Sequence, residues 1–275
     1  MSLANFRTAC ESLKDYFGVV GIFGGNPALH PDFDAICEIL RETIPFARRG
    51  IWCNNPIWPE RAREMARTFN PRYSNLNVHL DAKAYALFKE HWPESQPFGL
   101  HQDSRHSPVF VAMKDVIEDE GQRWELISNC DINKHWSAMM GQFRGELRAW
   151  FCEIAGAQAM LHQHEPRYPD TGVEVTHEGR VKLFTGGTEG AEKQWWELSM
   201  RSFDQQVHKH CHECGVPLRG YGSLAQSEYG VEQTSAAHQS VYETKRRLPL
   251  QVVTNVEQLK SKGLKFTDYM GGARA

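Results

Sequence analysis

Cys211-His212-Glu213-Cys214-Gly215 places two thiols at C-x2-C spacing with a glycine directly behind them. Thiolates so spaced on one tight turn reach a single metal centre, and a second soft pair would complete four ligands. Cys130 and Cys152, in the same half of the chain, are the candidates for that pair. The spacing does not choose between zinc and an iron–sulfur cluster, because thiolates suit both. Taken singly, each cysteine also reads as a core thiol, since free cysteine is among the most buried residue types. His208, His210 and His212 surround the motif and could replace a cysteine at a zinc ion. They read more simply as polar loop residues, with His210 and His212 pointing away from the Cys211 side. Cys10, Cys37 and Cys53 read as core thiols on a helix, a helix and a strand.

A second constellation is Gly24-Gly25-Asn26-Pro27, directly after the apolar run Val19 to Phe23. Paired glycines let backbone N–H and C=O groups approach a small molecule closely. The same residues also make an ordinary strand-to-helix turn. Asn54-Asn55 closes the next strand, and Asn77, His79 and Lys114 are candidate cavity residues. Asp32 and Asp34 resemble the carboxylate pair that holds a divalent ion in nucleotide-sugar transferases, although helix capping accounts for them as well.

These residues need elements to hold them. Phe6, Cys10, Leu13 and Phe17 recur at helical spacing behind a Ser2 cap, and a second helix carries Phe33, Ile36, Cys37, Ile39 and Leu40. Ile51 to Cys53 predicts a strand, and Glu60 to Phe69 and Ala82 to Trp92 predict helices. Ser74 to Leu80 alternates, with Leu76, Val78 and Leu80 on one face and Asn75, Asn77 and His79 on the other. Val109 to Met113 predicts a further strand. Strands and helices in this rhythm argue for parallel βα units, with ligands at the C-terminal strand ends. Gly186-Gly187, Thr188 and Gly190 mark a loop, Lys245-Arg246-Arg247 a solvated basic patch, and Met270 to Ala275 a loose tail.

The 275 residues suffice for a real core, and the net charge of −3 exerts no general pull on nucleic acid or anionic lipid. No apolar run approaches the roughly 20 residues of a membrane helix, and the N-terminus lacks a secretory layout. The expected setting is the reducing cytoplasm, where seven cysteines mean metal, catalysis or core filling rather than disulfides.

The stretch Val20-Gly21-Ile22-Phe23-Gly24-Gly25-Asn26-Pro27-Ala28-Leu29-His30-Pro31-Asp32-Phe33 resembles the radical S-adenosylmethionine (radical SAM) superfamily, whose second barrel strand ends in a G-G-E-P loop. Asn54-Asn55 is similar to that family's T-N-G segment. Cys130, Gly145, Cys152, Cys211 and Cys214 are similar in order to its SPASM or twitch extensions, which carry an auxiliary [4Fe–4S] cluster. The resemblance implies an α/β fold: a partial (β/α) barrel of parallel strands lacking strand 1, plus a small cysteine-bearing extension. It divides the chain into a βα region at 1–125, a cysteine region at 126–225 and a tail at 226–275. It implies S-adenosylmethionine at Gly24, Gly25, Asn26, Asn54 and Asn77. It implies cluster ligation by Cys130, Cys152, Cys211 and Cys214, with zinc the alternative metal, and a peptide or small molecule as substrate. Two departures stand out. Asn26 replaces the family's glutamate, and the chain has no C-x3-C-x2-C to hold the cluster that reduces S-adenosylmethionine. Activity is therefore open, and the expectation is a shortened or degenerate relative, whose open strand edge a partner or upstream segment would cover. A zinc-stabilised binding module and a nucleotide-sugar transferase are the competing expectations.

Overall fold

The computed structural model describes residues 1–101, 110–130, 138–185, 188–220, 232–239 and 250–260. Helix accounts for 47% and strand for 15%, with a parallel sheet, so the protein is of mixed α and β class. The chain divides into two compact units: Met1–Ser104 with Glu174–Glu197, and Arg105–Val173 with Leu198–Ala275. The segment 174–197 thus belongs with the N-terminal region, although sequence alone places it in the cysteine region.

In the first unit, strands β1 (Val20–Ile22), β2 (Arg49–Cys53) and β3 (Asn75–Leu76) pair in parallel in the order β1-β2-β3. Helices α1 (Leu3–Ser12), α2 (Phe33–Thr43), α3 (Pro59–Thr68) and α4 (Ala82–His91) alternate with them. Local chemistry sets these helices: Ser2 accepts the Asn5 N–H and caps α1, Asp81 accepts the Ala84 N–H and caps α4, and Pro59 starts α3. The pleat buries Val20, Ile51, Cys53 and Leu76 on one face. The opposite face carries Gly21 and Trp52. A Cβ on Gly21 would lie 1.8 Å from the Trp52 ring, so the glycine is what lets the indole lie on the sheet. No closed barrel forms among the described residues. Strands β4 (Arg180–Thr185) and β5 (Thr188–Gln194) make an antiparallel hairpin of the same unit, followed by Trp196, whose ring lies 5.4 Å from that of Tyr16.

Several expected elements differ. Helix α1 stops at Ser12, and Phe17, 86% exposed, is outside it. The Ser74 to Leu80 strand ends at Leu76, because His79 and Leu80 turn into the left-handed region (φ 43° and 66°) to reach the Asp81 cap. Leu80 is consequently 53% exposed, while Asn77 is buried and spends its Oδ1 on the His79 N–H. The Val109 to Met113 run ends in a short helix, α5 (Met113–Val116), a reminder that a brief apolar run has no period of its own; Val109 lies outside the described residues. Thr188 and Gly190 lie in β5 rather than a loop. Gly186-Gly187, Lys245-Arg246-Arg247 and the tail from Met270 lie outside the described residues.

The second unit carries α5, α6 (Glu120–Ser128), a hairpin of β6 (Met139–Phe143) and β7 (Glu146–Trp150), and α7 (Glu153–Leu161). Its C-terminal part contributes α8 (Asp204–Gln206), a π-helical turn Val207–Cys211, and the parallel pair β8 (Glu232–Thr234) and β9 (Leu250–Val252). Arg144 and Gly145 form the two-residue hairpin turn with φ of 49° and 91°, the geometry that favours a glycine there. Phe143, Trp150, Phe151, Tyr168 and Phe203 build one core cluster, and Val111, Met113, Ile127, Leu218 and Val253 build another. Val207 and Cys211 pack against both.

Candidate metal centre and cofactor loop

All four candidate cysteines line one cavity, of about 20 Å³, where Ile127, Phe151, Ala155 and Pro217 supply an apolar wall. Four separate elements deliver them. Cys130 follows the end of α6, its N–H bonded to the Ile127 carbonyl at 3.1 Å. Cys152 is the residue that caps α7. Cys211 ends the π-helical turn, a distortion frequent at functional sites. Cys214 closes the following turn, where its N–H meets the Cys211 carbonyl at 3.3 Å and its Sγ accepts the Val216 N–H at 3.4 Å. All seven cysteines of the chain are free thiols.

Burial pushes the Cys152 thiol up to about 12, although the Ala155 and Ile154 N–H groups at the start of α7 work the other way. Cys211 is likewise pushed up to about 12, by burial first and then by the neighbouring Cys152 and Cys130. Cys214 is raised well above its ordinary value, by burial first, with the Val216 N–H opposing and Cys152, Cys211 and Cys130 adding to it. These three thiols are therefore neutral near pH 7, with Cys152 feeling Cys130, and Cys211 and Cys214 each feeling two or more of the other cysteines. Among the described residues, no group of three or more His, Cys, Asp and Glu side chains is disposed to hold a metal ion as it stands. Neutral thiols have no mutual attraction to draw their sulfurs together; a bound cation supplies it by displacing the protons. The donor set fits a thiolate-bound metal group on that ground: four soft ligands, one cavity and an apolar surround.

His210 departs from the sequence expectation. Rather than a polar loop residue, it is buried beside the same cavity, with Nε2 2.8 Å from Thr171 Oγ1 and Nδ1 3.5 Å from the Tyr168 hydroxyl. It belongs to the π-helical turn, and its burial follows from tertiary partners 42 and 39 positions earlier in the chain, Tyr168 and Thr171. Burial takes His210 down to about 4. His212 instead packs edge-on against Trp124, with ring centroids 4.7 Å apart. Glu213, inside the motif, is bound by Lys114 at 2.8 Å and Lys209 at 3.0 Å. Burial alone would raise its carboxyl, but the two ammonium groups more than offset this and hold it below the usual range. Lys114 therefore has a partner beside the cysteines rather than a place at a strand end.

Sequence reasoning missed Gln206. Buried at the end of α8, it accepts the Phe151 N–H at 2.9 Å and donates to the Thr171 and Ala149 carbonyls at 2.8 and 3.3 Å. It thereby ties the segment leading to Cys211 to the strand end leading to Cys152. Nothing local marks this residue, because its partners lie 35 to 57 positions away.

In the first unit, Gly24 and Gly25 are exposed, and a Cβ on either would meet nothing within 4 Å. Their backbone thus faces open space at the C-terminal end of β1. Asn26 does not offer a free amide. Its Oδ1 takes the Ala28 N–H at 3.3 Å and the Cys53 thiol at 3.0 Å, and its Nδ2 donates to the Asn55 carbonyl at 2.9 Å. It caps the turn Pro27–Leu29 and ties the β1 loop to the β2 loop. Asn55 continues the lacing, donating to Asp81 Oδ2 at 2.9 Å and accepting the Ile57 N–H at 2.7 Å; Asn54 is half-buried beside it. Ile57, His79 and Leu80 adopt positive φ (74°, 43° and 66°) just beyond the C-terminal ends of β2 and β3. Backbone strain of this kind concentrates at binding sites. Asn77 is buried and apart in role, braced against Gly99, where a Cβ would fall 2.4 Å from its Oδ1. Asp34 is engaged by Arg61 at 2.7 Å, and Asp32 makes no capping bond.

No known protein family, curated protein or solved structure matches the chain. Among the described residues, no helix is long and apolar enough to cross a membrane.

Proposed function

We propose that the chain is an iron–sulfur protein of the radical S-adenosylmethionine type. In this reading Cys130, Cys152, Cys211 and Cys214 ligate one [4Fe–4S] cluster, and the Gly24-Gly25 turn receives the amino-acid end of S-adenosylmethionine. A peptide or small molecule is the substrate. The observation that carries the reading is the convergence of the four thiols on one apolar cavity from positions spread over 85 residues of chain. A bound cluster would supply one-electron chemistry; the protein's own residues ligate, bury and orient. The Ile154 and Ala155 N–H groups favour thiolate at Cys152, and the Val216 N–H does so at Cys214. The apolar wall keeps water off the sulfurs, which moves the potential of such a centre. With the Asn26 amide committed to the loop, a ligand at Gly24-Gly25 is met by backbone groups.

One observation favours a second reading. A cavity of about 20 Å³ is the size of one water molecule, nearer to the room a single zinc ion needs than to that of a four-iron cluster. Anaerobic reconstitution with ferrous iron and sulfide separates the two. The iron–sulfur reading expects a brown protein with about four irons per chain, lost when any one of the four cysteines is changed to alanine. A colourless protein carrying stoichiometric zinc would reject it in favour of a zinc-stabilised module. Retention of S-adenosylmethionine by the reconstituted protein, weakened by Gly25→Val, tests the loop.

A further inference from the structure

The carbonyl oxygen of Glu213, inside the Cys211–Cys214 turn, is held by two buried side chains. Gln158 Nε2 donates to it at 3.1 Å and His238 Nε2 lies 2.6 Å from it. A peptide carbonyl has two lone pairs, so both are filled. The peptide so gripped is the one that enters Cys214, and its orientation sets where the Cys214 Sγ can lie. The earlier half of the turn is fixed separately, by the Lys114 N–H on the His212 carbonyl at 2.9 Å.

Both clamping side chains carry a second polar atom that is left without a partner among the described residues: Gln158 Oε1 and His238 Nδ1. Both residues are buried. Leaving a buried polar atom unsatisfied is destabilising, and an apolar side chain of similar shape would avoid it. Packing alone therefore does not explain a glutamine and a histidine here; what they do that leucine could not is donate to the Glu213 carbonyl. His238 is itself placed with care. The Ala237 N–H bonds to Asp115 Oδ2 at 2.8 Å, and Ser235 Oγ accepts the Ala112 N–H at 2.8 Å.

We infer that Gln158 and His238 are positioning residues that lock the Glu213–Cys214 peptide and so hold Cys214 in register with the other three thiolates around their metal group. The inference rests on the four-thiolate reading above, and it applies to iron or zinc. Groups behind first ligands are typically worth about 10–100-fold in metal affinity.

The test compares the full chain with Gln158→Leu, His238→Leu, the double variant and His238→Gln, which restores an N–H donor. Each is loaded with the metal that the wild type takes up, and metal release to excess chelator is timed. Melting is recorded for metal-free and loaded forms, along with the visible and EPR spectra of iron-loaded protein. The expected result is release about 10–100-fold faster in the leucine variants, with altered spectra in the iron form. Metal-free melting should fall less than loaded melting, because removing an orphaned buried atom offsets part of the lost bond to the Glu213 carbonyl, and His238→Gln should recover much of the loss. Release within twofold of wild type, or equal melting losses in metal-free and loaded forms with unchanged spectra, would overturn the clamp alone. A wild type that binds neither iron nor zinc would reject the four-thiolate reading and the clamp with it.

Discussion

Replacing Gln206 by leucine tests whether the cysteine cavity is held together by one buried amide. Leucine has nearly the same volume, so the change removes hydrogen bonds without opening a large void. Three are lost: the Phe151 N–H at 2.9 Å and the Thr171 and Ala149 carbonyls at 2.8 and 3.3 Å. At a net of about 1 kcal/mol for each buried bond, the cost is about 3 kcal/mol, or two orders of magnitude in the folded-to-unfolded ratio. With a urea slope of about 1–3 kcal/mol per M, the midpoint should fall by about 1–3 M. Metal uptake should fall with it, because Cys152 and Cys211 lose their common tether. Gln206→Glu sharpens the argument. It keeps an acceptor for Phe151, but only its protonated form can donate to a carbonyl. Its folded-state pKa should therefore be raised, so the variant should be more stable at pH 5 than at pH 8, while wild type shows no such dependence from this position. Equilibrium unfolding followed by tryptophan fluorescence reads all three proteins. A Gln206→Leu unfolding free energy within about 0.5 kcal/mol of wild type would refute the reasoning.

Three further outcomes are expected. Burial pushes Cys10 and Cys37 up to about 12 and Cys53 to about 11 from an ordinary 9.0, so the unfolded chain releases these protons first. The sign follows: this stability is present below pH 9 and declines as pH rises from 9 to about 12, and a melting series over that range should show a shallower decline for Cys37→Ala than for wild type. Asn26→Ala removes a turn cap and the tie to the Asn55 carbonyl, and should lower stability by about 1–2 kcal/mol in denaturant titrations, with Asn26→Asp intermediate. Gly145→Val forces a β-branched residue to a φ of 91° in the hairpin turn and should cost about 1–2 kcal/mol, whereas Gly145→Asn should cost less in the same measurement.

Much of the scaffold was legible because it is written in local chemistry. Ser2 and Asp81 cap helices wherever a helix follows them, and the runs through Val20 to Ile22 and Ile51 to Cys53 had strand character without help from distant residues. The candidate cysteines could also be named from sequence, because C-x2-C spacing has a chemical meaning of its own. Misreadings arose where a neighbour overruled a period. Leu80 alternates correctly for a strand, yet the Asp81 cap turns the chain before it can pair. His210 reads as a polar loop residue beside Cys211, yet it lies buried in a π-helical turn with its ring bonded by Thr171 and Tyr168.

Residue type and spacing alone therefore determined which side chains could ligate a metal and which segments would form the parallel strands and their helices, because both depend on chemistry within a few positions. Whether Cys130 and Cys152 stand beside Cys211 and Cys214, what Asn26 does with its amide, and which residues grip the Glu213 carbonyl were decided only by tertiary structure. Hydrogen bonds and burial between groups tens of residues apart leave no periodic trace in the chain that makes them.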